Sequence, residues 1–458
     1  MKQKQQVSHN GSNKRFKPNQ KYDKTLDYLN SWMEKKGITW KQSIIVRKDA
    51  SGHSVFATRD LKEDEIVCTV PKTAILSRKT SPLRDIIDEE ELAGGMALTL
   101  CLMYEMTLKK KSEWWPYLQS LPQVVDLPMY WDEQALTHLE GTCLDPSTIV
   151  EENALLLEDY QSIIKPLFRK HAIFNEGKYM NFESYRRAAG LVASRAFSVD
   201  DFHDLSMVPL CDIFNHKSGS ENVHMECQAE VCLECGSEDH VEHDAPTHDE
   251  HVANVKSISM TTNSDIKCKS ELFNVYEDLS NVDLLLKYGY AHENNPFDVV
   301  SIKPDVIHNA IHDKKWFDKN RWEYWLSIKN TKLEEEEEEN EEEDDGDEED
   351  EELHCEFNAE GKPNHTLLLL LCIMFAKKEQ YASWKNVKKL IQHVKSQAVT
   401  KQMKEACVIM AKERLSIYKD SLDEDLEGLQ DKHLPSRHKW SLIIKVCEKR
   451  ILHKVVEE

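Results

Sequence analysis

The feature that most constrains the fold of this chain is residues 207–219, which read MVPLCDIFNHKSG. The apolar residues of this stretch predict a buried strand, and the strand ends in two polar residues, Asn215 and His216. Burying an amide and an imidazole costs free energy unless each side chain finds a hydrogen-bond partner. The pair therefore has two interpretations: a strand end that satisfies the backbone of a nearby loop, or part of a functional site.

The length and composition are those of a globular protein with two or three domains. The 458 residues are 40% hydrophobic and 31% charged, and a chain of this length can bury more than one hydrophobic core. Its longest apolar run, residues 367–376, is well below the roughly 18–20 residues of a membrane span. The first 20 residues lack the apolar segment of a secretory signal. We therefore expect a protein that neither spans a membrane nor is secreted.

The twelve cysteines are scattered along the chain, most of them in apolar surroundings. This pattern favours reduced thiols in the nucleus or the cytosol over a disulfide framework. Among them, Cys227, Cys232 and Cys235 are weak candidates for a zinc site, because the last two have the C-x2-C spacing of a zinc knuckle. A flexible loop that is rich in cysteine and histidine is the alternative.

The net charge of −23 is concentrated in one segment. Residues 334–352 hold 17 acidic residues and no basic one, so the rest of the chain carries only −6. Nothing beyond the short first segment is basic enough to neutralise phosphates, and we expect no direct nucleic-acid partner. The acidic run is typical of a solvated, disordered loop. Its alternative role is to attract a strongly basic protein substrate.

The order of strand and helix patterns predicts an α+β fold. Strand patterns occur at residues 44–46, 55–57, 66–70, 208–214, 257–260 and 272–275. A helical block fills about 80–190, and helical patterns dominate again at about 365–452. We expect a β-rich core that is split by a helical insert and followed by an all-helical carboxy-terminal domain.

Residues 278–289, with the sequence DLSNVDLLLKYG, carry the clearest helix signal. Ser280 is the predicted N-cap, with Asp283 three residues further on. Gly289 stands at the predicted carboxyl end, where a left-handed backbone conformation is common. Tyr276 precedes this stretch, and Tyr288 follows twelve residues further on, across the predicted helix.

Four motifs stand in order along the chain and carry a resemblance to a known family. They are SGHSVFA at 51–57, SRAF at 194–197, DIFNH at 212–216, and FNVY at 273–276 with KYGY at 287–290. With these motifs the chain resembles the SET-domain protein lysine methyltransferases of the Rubisco large-subunit and ribosomal-protein type. The resemblance extends over about residues 22–429, apart from the Cys/His-rich insertion and the acidic loop, because RLSIYKDSLDEDLEGL at 414–429 is similar to a late helix of that family's carboxy-terminal domain.

The resemblance implies a division of the chain into segments. These are a disordered tail at 1–20, a SET domain at 21–300 with a helical insert at about 80–190 and a Cys/His-rich insertion at 217–256, a linking helical segment at 301–333, an acidic disordered loop at 334–352 and a helical substrate-binding domain at 353–458.

The activity that the resemblance implies is methyl transfer from S-adenosyl-L-methionine (SAM) to a protein lysine. In this reaction a neutral amine attacks the methyl carbon in line, so the enzyme contributes mainly by positioning the two groups. A narrow, poorly hydrated channel also disfavours the charged form of the lysine. By resemblance, Tyr276 is a catalytic tyrosine that also touches SAM, and Tyr288 is a second catalytic tyrosine that lines the lysine channel. Without the family, a core aromatic residue with a satisfied hydroxyl is the simpler interpretation of each.

The resemblance also implies which residues hold the cofactor and the substrate. The implied cofactor-binding residues are Ser51, His53, Arg195, Asn215, His216 and Tyr276. Arg195 suits the carboxylate of SAM, because a guanidinium forms charge-assisted hydrogen bonds with a carboxylate, although a surface ion pair is its alternative role. Asp212 and Tyr288 are the implied substrate-binding residues. A carboxylate at position 212 would attract the entering lysine, whereas a turn or cap acceptor is the simpler interpretation.

Two positions depart from the family pattern. The early loop of the family is usually Gly-x-Gly, whereas this chain has Ser54 at the second glycine position. A Cβ at this position interferes with the close approach of backbone to cofactor that the family pattern implies. The second departure is Glu277, which follows Tyr276 where many relatives have glycine.

The implied substrate is a basic, non-histone protein, with ribosomal and other translation-machinery proteins first. Two other functions are compatible with the motifs. One is methylation of a protein histidine, and the other is a non-catalytic SET-fold binding module. The Ser54 departure favours the binding module, whereas the retained Asn215, His216 and both tyrosines favour an enzyme. We expect a monomer of the nucleus or the cytoplasm.

Overall fold

The structure, a computed structural model, describes most of the chain. The described residues are 24–48, 52–123, 125–176, 180–227, 230–236, 257–274, 276–312, 316–328, 354–384, 387–396 and 399–457. Ser51, the tail at 1–20, the acidic loop at 334–352 and the larger part of the Cys/His-rich insertion lie outside the described residues.

The described residues form nine short strands in four antiparallel sheets. The strands are β1 (Ile44–Lys48), β2 (His53–Ala57), β3 (Ile66–Pro71), β4 (Ala196–Ser198), β5 (Leu205–Met207), β6 (Val223–Glu226), β7 (Ser257–Thr262), β8 (Val299–Ser301) and β9 (Glu356–Asn358). β7 is the central strand of a sheet with β3 and β6, and the other sheets are the pairs β1–β2, β4–β5 and β8–β9. Sheets of two or three short strands need packing against other elements to be stable.

Seventeen α-helices supply most of that packing within the described part of the chain. They are α1 (Lys24–Lys35), α2 (Arg84–Glu89), α3 (Gly94–Leu108), α4 (Trp115–Leu118), α5 (Glu133–Leu136), α6 (Pro146–Asp159), α7 (Lys165–Lys170), α8 (Phe182–Arg195), α9 (Asn281–Tyr288), α10 (Pro304–His312), α11 (Lys319–Ile328), α12 (His365–Phe375), α13 (Lys378–Ser383), α14 (Val387–Ser396), α15 (Lys401–Leu415), α16 (Leu422–Gly428) and α17 (Ser436–Glu457). None of the helices that the structure describes is both long enough and apolar enough to cross a membrane.

The helical insert packs on the strands through α3 and α8. All residues of α3 from 97 to 105 are buried, because a helix that is apolar on every side is stable only inside a core. α8 packs along α3 and begins at the N-cap Asn181, whose side chain accepts a hydrogen bond from the Ser184 backbone. Its last residue is Arg195, and β4 follows directly. The insert therefore fixes where the Arg195 side chain lies relative to the strands.

The carboxy-terminal domain is helical, as predicted, and has its own hydrophobic core. The apolar helix α12 is buried on most of its surface at the centre of this core. One short strand is the exception to an all-helical domain: β9 pairs with β8, which precedes the acidic loop in sequence. This pairing joins the chain on the two sides of that loop.

The helix predicted from residues 278–289 is confirmed as α9. The Ser280 side chain accepts a hydrogen bond from the Asp283 backbone, and the Asp283 carboxylate accepts one from the Ser280 backbone. Gly289 adopts the left-handed conformation with φ +80°. A Cβ at this position would lie 2.9 Å from the Asp126 carbonyl oxygen, so only glycine fits the end of the helix here.

Two of the predicted strands are wrong. Residues 208–214 are not a strand, because Pro209 has no N–H to donate to a ladder and Leu210 has a φ of +76°. The chain instead forms a 3-10 turn at Cys211–Ile213. Residues 272–275 contribute only isolated bridges, such as the one between Asn215 and Phe273, among the residues that the structure describes. The prediction that the Cys/His-rich insertion begins at residue 217 is also wrong. Residues 223–226 form β6, which pairs with β7 in the central sheet.

A buried ion pair anchors the turn after β3 to the turn after β4. The Lys72 Nζ lies 2.5 Å from the Asp200 Oδ2, and both side chains are almost completely buried. The His203 Nδ1 donates to the same carboxylate at 2.9 Å. Burial raises the pKa of Asp200, but the hydrogen bonds from His203 and Lys72 outweigh burial and hold the pKa at about 2, against an ordinary value of 3.8.

Asp200 is expected to make the fold sensitive to acid. A pKa that is lower in the folded state contributes stability above pH 4, and this contribution disappears as the pH falls from about 4 to about 2. The contribution is about 2 kcal/mol of unfolding free energy. Urea unfolding at a series of pH values measures it. In the Asp200→Asn variant this part of the pH dependence should be absent, and an unchanged slope between pH 4 and pH 2 would contradict the assignment.

Candidate active site

A cavity of about 900 Å³ lies where the strands, the helical insert and the carboxy-terminal domain meet. Seven of the eight site residues predicted from the sequence line this cavity: His53, Arg195, Asp212, Asn215, His216, Tyr276 and Tyr288. The eighth, Ser51, lies outside the described residues. These residues come from β2, from the end of α8, from the 3-10 turn after β5 and from both sides of α9, so the cavity exists only in the folded chain.

Tyr276 is held by two neighbouring rings and by a hydrogen bond from its hydroxyl. The hydroxyl donates a hydrogen bond to the Phe214 carbonyl oxygen at 2.8 Å. The ring stacks on the His216 ring with centroids 4.9 Å apart, and it lies against the Tyr288 ring at 4.5 Å. With its proton directed at Phe214, the Tyr276 oxygen keeps its lone pairs for a donor inside the cavity.

The tyrosine hydroxyls of the cavity remain protonated at neutral pH. Burial raises the pKa of Tyr276 well above its ordinary value of 10.0. Burial also raises the pKa of Tyr288 to about 12, and the nearby Glu277 carboxylate adds to the effect. Neither tyrosine can therefore act as a general base near pH 7, and each is available as a neutral hydrogen-bonding group.

His216 is a neutral, fully oriented imidazole. Its Nδ1 lies 3.1 Å from the Asn274 carbonyl oxygen, which can only accept, so Nδ1 carries the proton. Its Nε2 accepts from the Ser218 hydroxyl at 3.1 Å. Burial lowers the pKa of His216, which keeps the ring neutral at pH 7. The buried histidine of the predicted pair thus has both nitrogens satisfied, and it supports the Tyr276 ring.

Asp212 is a buried carboxylate with one oxygen still unpaired. Its Oδ2 accepts from the Tyr117 hydroxyl at 3.0 Å, and the Arg195 Nη1 lies 3.5 Å from the same oxygen. Arg195 also donates to the Asp212 backbone carbonyl at 2.8 Å. The Asp212 Oδ1 is buried without a hydrogen-bond partner among the described residues. Burial raises the pKa of Asp212, and Arg195 partly offsets this effect.

Among the residues of the site that were not predicted from the sequence are Tyr290, Tyr117 and Trp440. Tyr290 lines the cavity, and its buried hydroxyl has no hydrogen-bond partner among the described residues. Its place in the KYGY motif could have identified it. Tyr117 and Trp440 come from distant segments, the helical insert and α17. Nothing in the local sequence distinguishes them from ordinary core aromatic residues.

The two departures from the family pattern have different consequences. Ser54 lies in β2, and its φ is not positive. The backbone there accepts a residue with a Cβ without strain. Its hydroxyl accepts a hydrogen bond from the Asn215 amide at 3.0 Å. Glu277, in contrast, has a φ of +87°. This left-handed conformation favours glycine and strains a residue with a Cβ.

Replacing Glu277 by glycine is therefore expected to stabilise the protein. Relief of the strain contributes about 1–2 kcal/mol, and the greater freedom of glycine in the unfolded chain offsets roughly half of that gain. A higher midpoint of urea unfolding measures the effect. Asp278→Gly is the matched control and should lower the midpoint. If both variants are destabilised equally, position 277 is not strained.

Within the described part of the chain, Cys227, Cys232 and Cys235 do not form a group of three potential metal ligands. The Cys227 Sγ donates to the Val199 carbonyl oxygen at 2.8 Å. Among the described residues, the one group of three potential ligand atoms is Glu89, Glu90 and His171, which includes none of the three cysteines. The two glutamates are engaged by Lys170, which lies 2.6 Å from Glu90. The histidines of the insertion between 237 and 256 lie outside the described residues.

Two family models match the chain. Residues 52–277 match the model described as SET domain, and residues 337–452 match the model described as Rubisco LSMT substrate-binding. The first match contains all of the cavity residues that precede Asp278, and the second contains α17 up to residue 452. The cavity is therefore lined from both matched segments.

Curated relatives carry related names. The chain is 26% identical over 313 residues to the N-lysine methyltransferase setd6 of Danio rerio, a match that covers 62% of each protein. It is 23% identical over 346 residues to the ribosomal lysine N-methyltransferase 3 of Saccharomyces cerevisiae, which covers 59% of this chain and 62% of the yeast protein. Each match spans less than two thirds of the relative's own length.

Solved structures share the fold over almost the whole chain. One is the SET domain of LSMT bound to lysine and AdoHcy, with a TM-score of 0.63, 19% identity, and coverage of 94% of this chain and 90% of that one. Another is Rubisco LSMT bound to AdoMet, with a TM-score of 0.63, 19% identity, and coverage of 95% and 91%. The predicted arrangement of an α+β core followed by a helical domain is confirmed by this likeness.

Proposed function

We propose that this chain, a member of the SET-domain proteins that also carry a Rubisco LSMT substrate-binding domain, transfers a methyl group from SAM to a lysine of another protein. The observation that carries the proposal is the cavity itself. It brings together Arg195 at the end of α8, Asn215 after the 3-10 turn and Tyr276 before α9. Relatives named N-lysine methyltransferases support the same conclusion.

The cavity residues fit SAM and a lysine side chain. The cavity volume of about 900 Å³ lies near the upper end of ligand pockets, roughly 300–1,000 Å³, which leaves room for two ligands. The Arg195 guanidinium suits the carboxylate of SAM. The Asp212 Oδ1 and the Tyr290 hydroxyl are buried without a hydrogen-bond partner in the described chain, and buried polar atoms without a partner in the free protein commonly receive one from a ligand. When bound, SAM supplies an activated methyl group on a positively charged sulfur.

The roles of the protein residues follow from their contacts. Tyr276 and Tyr288 orient the attacking amine, because their hydroxyls are neutral and fixed by ring stacking. Asp212 attracts the charged lysine before the reaction, since its Oδ1 has no other partner among the described residues. Neither tyrosine removes the lysine proton. The lysine loses its proton to water as it enters the cavity, because desolvation there disfavours the charged ammonium.

The proposed substrate is a basic protein of the translation machinery, with ribosomal proteins first. A relative in yeast carries the name ribosomal lysine N-methyltransferase 3. The acidic run at 334–352, with 17 acidic residues, would speed the encounter with such a partner by electrostatic attraction. The scattered cysteines favour a reducing compartment, so we propose a monomer that acts in the nucleus or the cytoplasm.

The test is labelling of extract proteins with isotopically labelled SAM, followed by mass spectrometry of the modified peptides. The proposal expects new methyl groups on lysine, first of all in ribosomal proteins. If only histidine residues gain methyl groups, the protein is a histidine methyltransferase and the proposed lysine substrate is wrong. Calorimetry separates the remaining alternative: SAM binding with no turnover on any extract protein identifies a binding module, and no SAM binding at all rejects the proposal.

A further inference from the structure

The side-chain amide of Asn215 has its two shortest hydrogen bonds to acceptors outside the cavity lining, and a third acceptor, the His53 carbonyl oxygen, lies 3.5 Å from its nitrogen. The Asn215 Nδ2 donates to the Glu271 Oε1 at 2.8 Å and to the Ser54 Oγ at 3.0 Å. The two acceptors come from β2 and from the segment before α9. Asn215 itself lines the cavity.

These contacts fix which way the amide faces. A carboxylate oxygen accepts hydrogen bonds and does not donate them when ionised, so the nitrogen of the amide must face Glu271. Because the nitrogen and the oxygen of a planar amide point in different directions, the Asn215 Oδ1 is turned away from Glu271. The backbone around the amide is also fixed, since the Asn274 N–H donates to the Asn215 carbonyl at 2.8 Å.

Glu271 is itself held in place by its backbone. Its backbone forms an antiparallel bridge with Phe56 of β2, and its carbonyl oxygen accepts from the Asn222 side chain at 3.3 Å. The next residue, Leu272, donates to the Val55 carbonyl at 2.8 Å. The carboxylate therefore reaches Asn215 from an anchored position, and little side-chain freedom remains to be lost when a ligand binds.

We propose that Glu271 and Ser54 are positioning residues that aim the Asn215 Oδ1 into the cavity as an acceptor for the α-ammonium group of SAM. This inference rests on the proposed function. A carbonyl oxygen suits an ammonium group, which has donors only, and Arg195 suits the carboxylate of the same amino-acid moiety. The serine that departs from the Gly-x-Gly pattern thus contributes a hydrogen bond to the site.

The test is calorimetric titration of SAM into the full chain, combined with steady-state kinetics on a substrate found by labelling. Removal of one hydrogen bond to a charged group weakens binding by about tenfold. Glu271→Ala should therefore raise the Kd and the KM for SAM about tenfold and change kcat much less. Glu271→Gln should restore most of the affinity, because its amide oxygen can still accept from Asn215.

Two further variants complete the test. Ser54→Ala should raise the Kd for SAM by a smaller factor, because a neutral hydroxyl is the weaker acceptor. Asp265→Asn is the matched control: this carboxylate lies on a loop that bridges to Leu61 and pairs with Lys62, so SAM affinity should not change. Wild-type affinity in Glu271→Ala would overturn the inference and leave the proposed function intact. No SAM binding by the wild type would reject both.

Discussion

Replacing Tyr276 by phenylalanine is expected to lower kcat by about a hundredfold or more, the usual effect of removing one preorganised polar group from a reacting centre. Phenylalanine keeps the ring that stacks on His216 and Tyr288 but removes the hydroxyl that donates to Phe214. The lost oxygen is the acceptor that would orient the attacking amine. The measurement is the rate of methyl transfer at saturating SAM and substrate.

The controls for this prediction separate catalysis from folding. Tyr185→Phe removes the hydroxyl of a buried tyrosine on α8 that does not line the cavity, and it should leave kcat unchanged. The unfolding midpoint of Tyr276→Phe should remain close to that of the wild type, since the ring still fills its place. Wild-type kcat in this variant would remove Tyr276 from the reaction, whatever the variant does to stability.

Breaking the buried ion pair between Arg414 and Glu448 is expected to destabilise the protein by about 3–5 kcal/mol, because one charge then stays buried without its partner. The Arg414 Nη2 lies 3.1 Å from the Glu448 Oε2, and both side chains are at most 5% exposed. The same carboxylate accepts from the Tyr418 hydroxyl. The variants are Glu448→Met and Arg414→Met, and urea unfolding measures the loss.

This ion pair also connects the two domains. The Arg414 Nη1 donates to the Gly141 carbonyl oxygen at 2.7 Å, and the Glu448 Oε1 accepts from the Cys143 N–H at 2.8 Å. Gly141 and Cys143 belong to the helical insert, between α5 and α6. Each single variant should therefore also weaken methyl transfer, because α17 carries Trp440 at the cavity.

The double variant Arg414→Met, Glu448→Met is the control for the ion pair. It removes both charges and replaces them with apolar side chains of similar volume, so it should be more stable than either single variant. This outcome assigns the loss in the single variants to an unpaired charge. A double variant that loses the sum of both single effects would instead indicate that the two residues act independently.

Local patterns in the sequence predicted the capped helix α9 correctly. The reason is that capping by Ser280 and Asp283 and the turn at Gly289 depend on residues within one or two helical turns. The same kind of local pattern gave a wrong prediction at 208–214, where an apolar run was interpreted as a strand. The backbone there is bent by Pro209 and by the positive φ of Leu210, and hydrophobicity alone does not report the backbone conformation.

The sequence by itself determined the fold class and identified seven of the residues that line the candidate site. Only the tertiary structure decided which of those residues form hydrogen bonds with one another. Glu271 and Ser54 lie 217 positions apart in the chain, and the contact of both with Asn215 exists only because β2 and the segment before α9 meet. Likewise, only the fold buries the Tyr290 hydroxyl where none of the described residues is its hydrogen-bond partner. Hydrogen bonds between distant segments depend on how strands and helices pack, and no local pattern of residues specifies that packing.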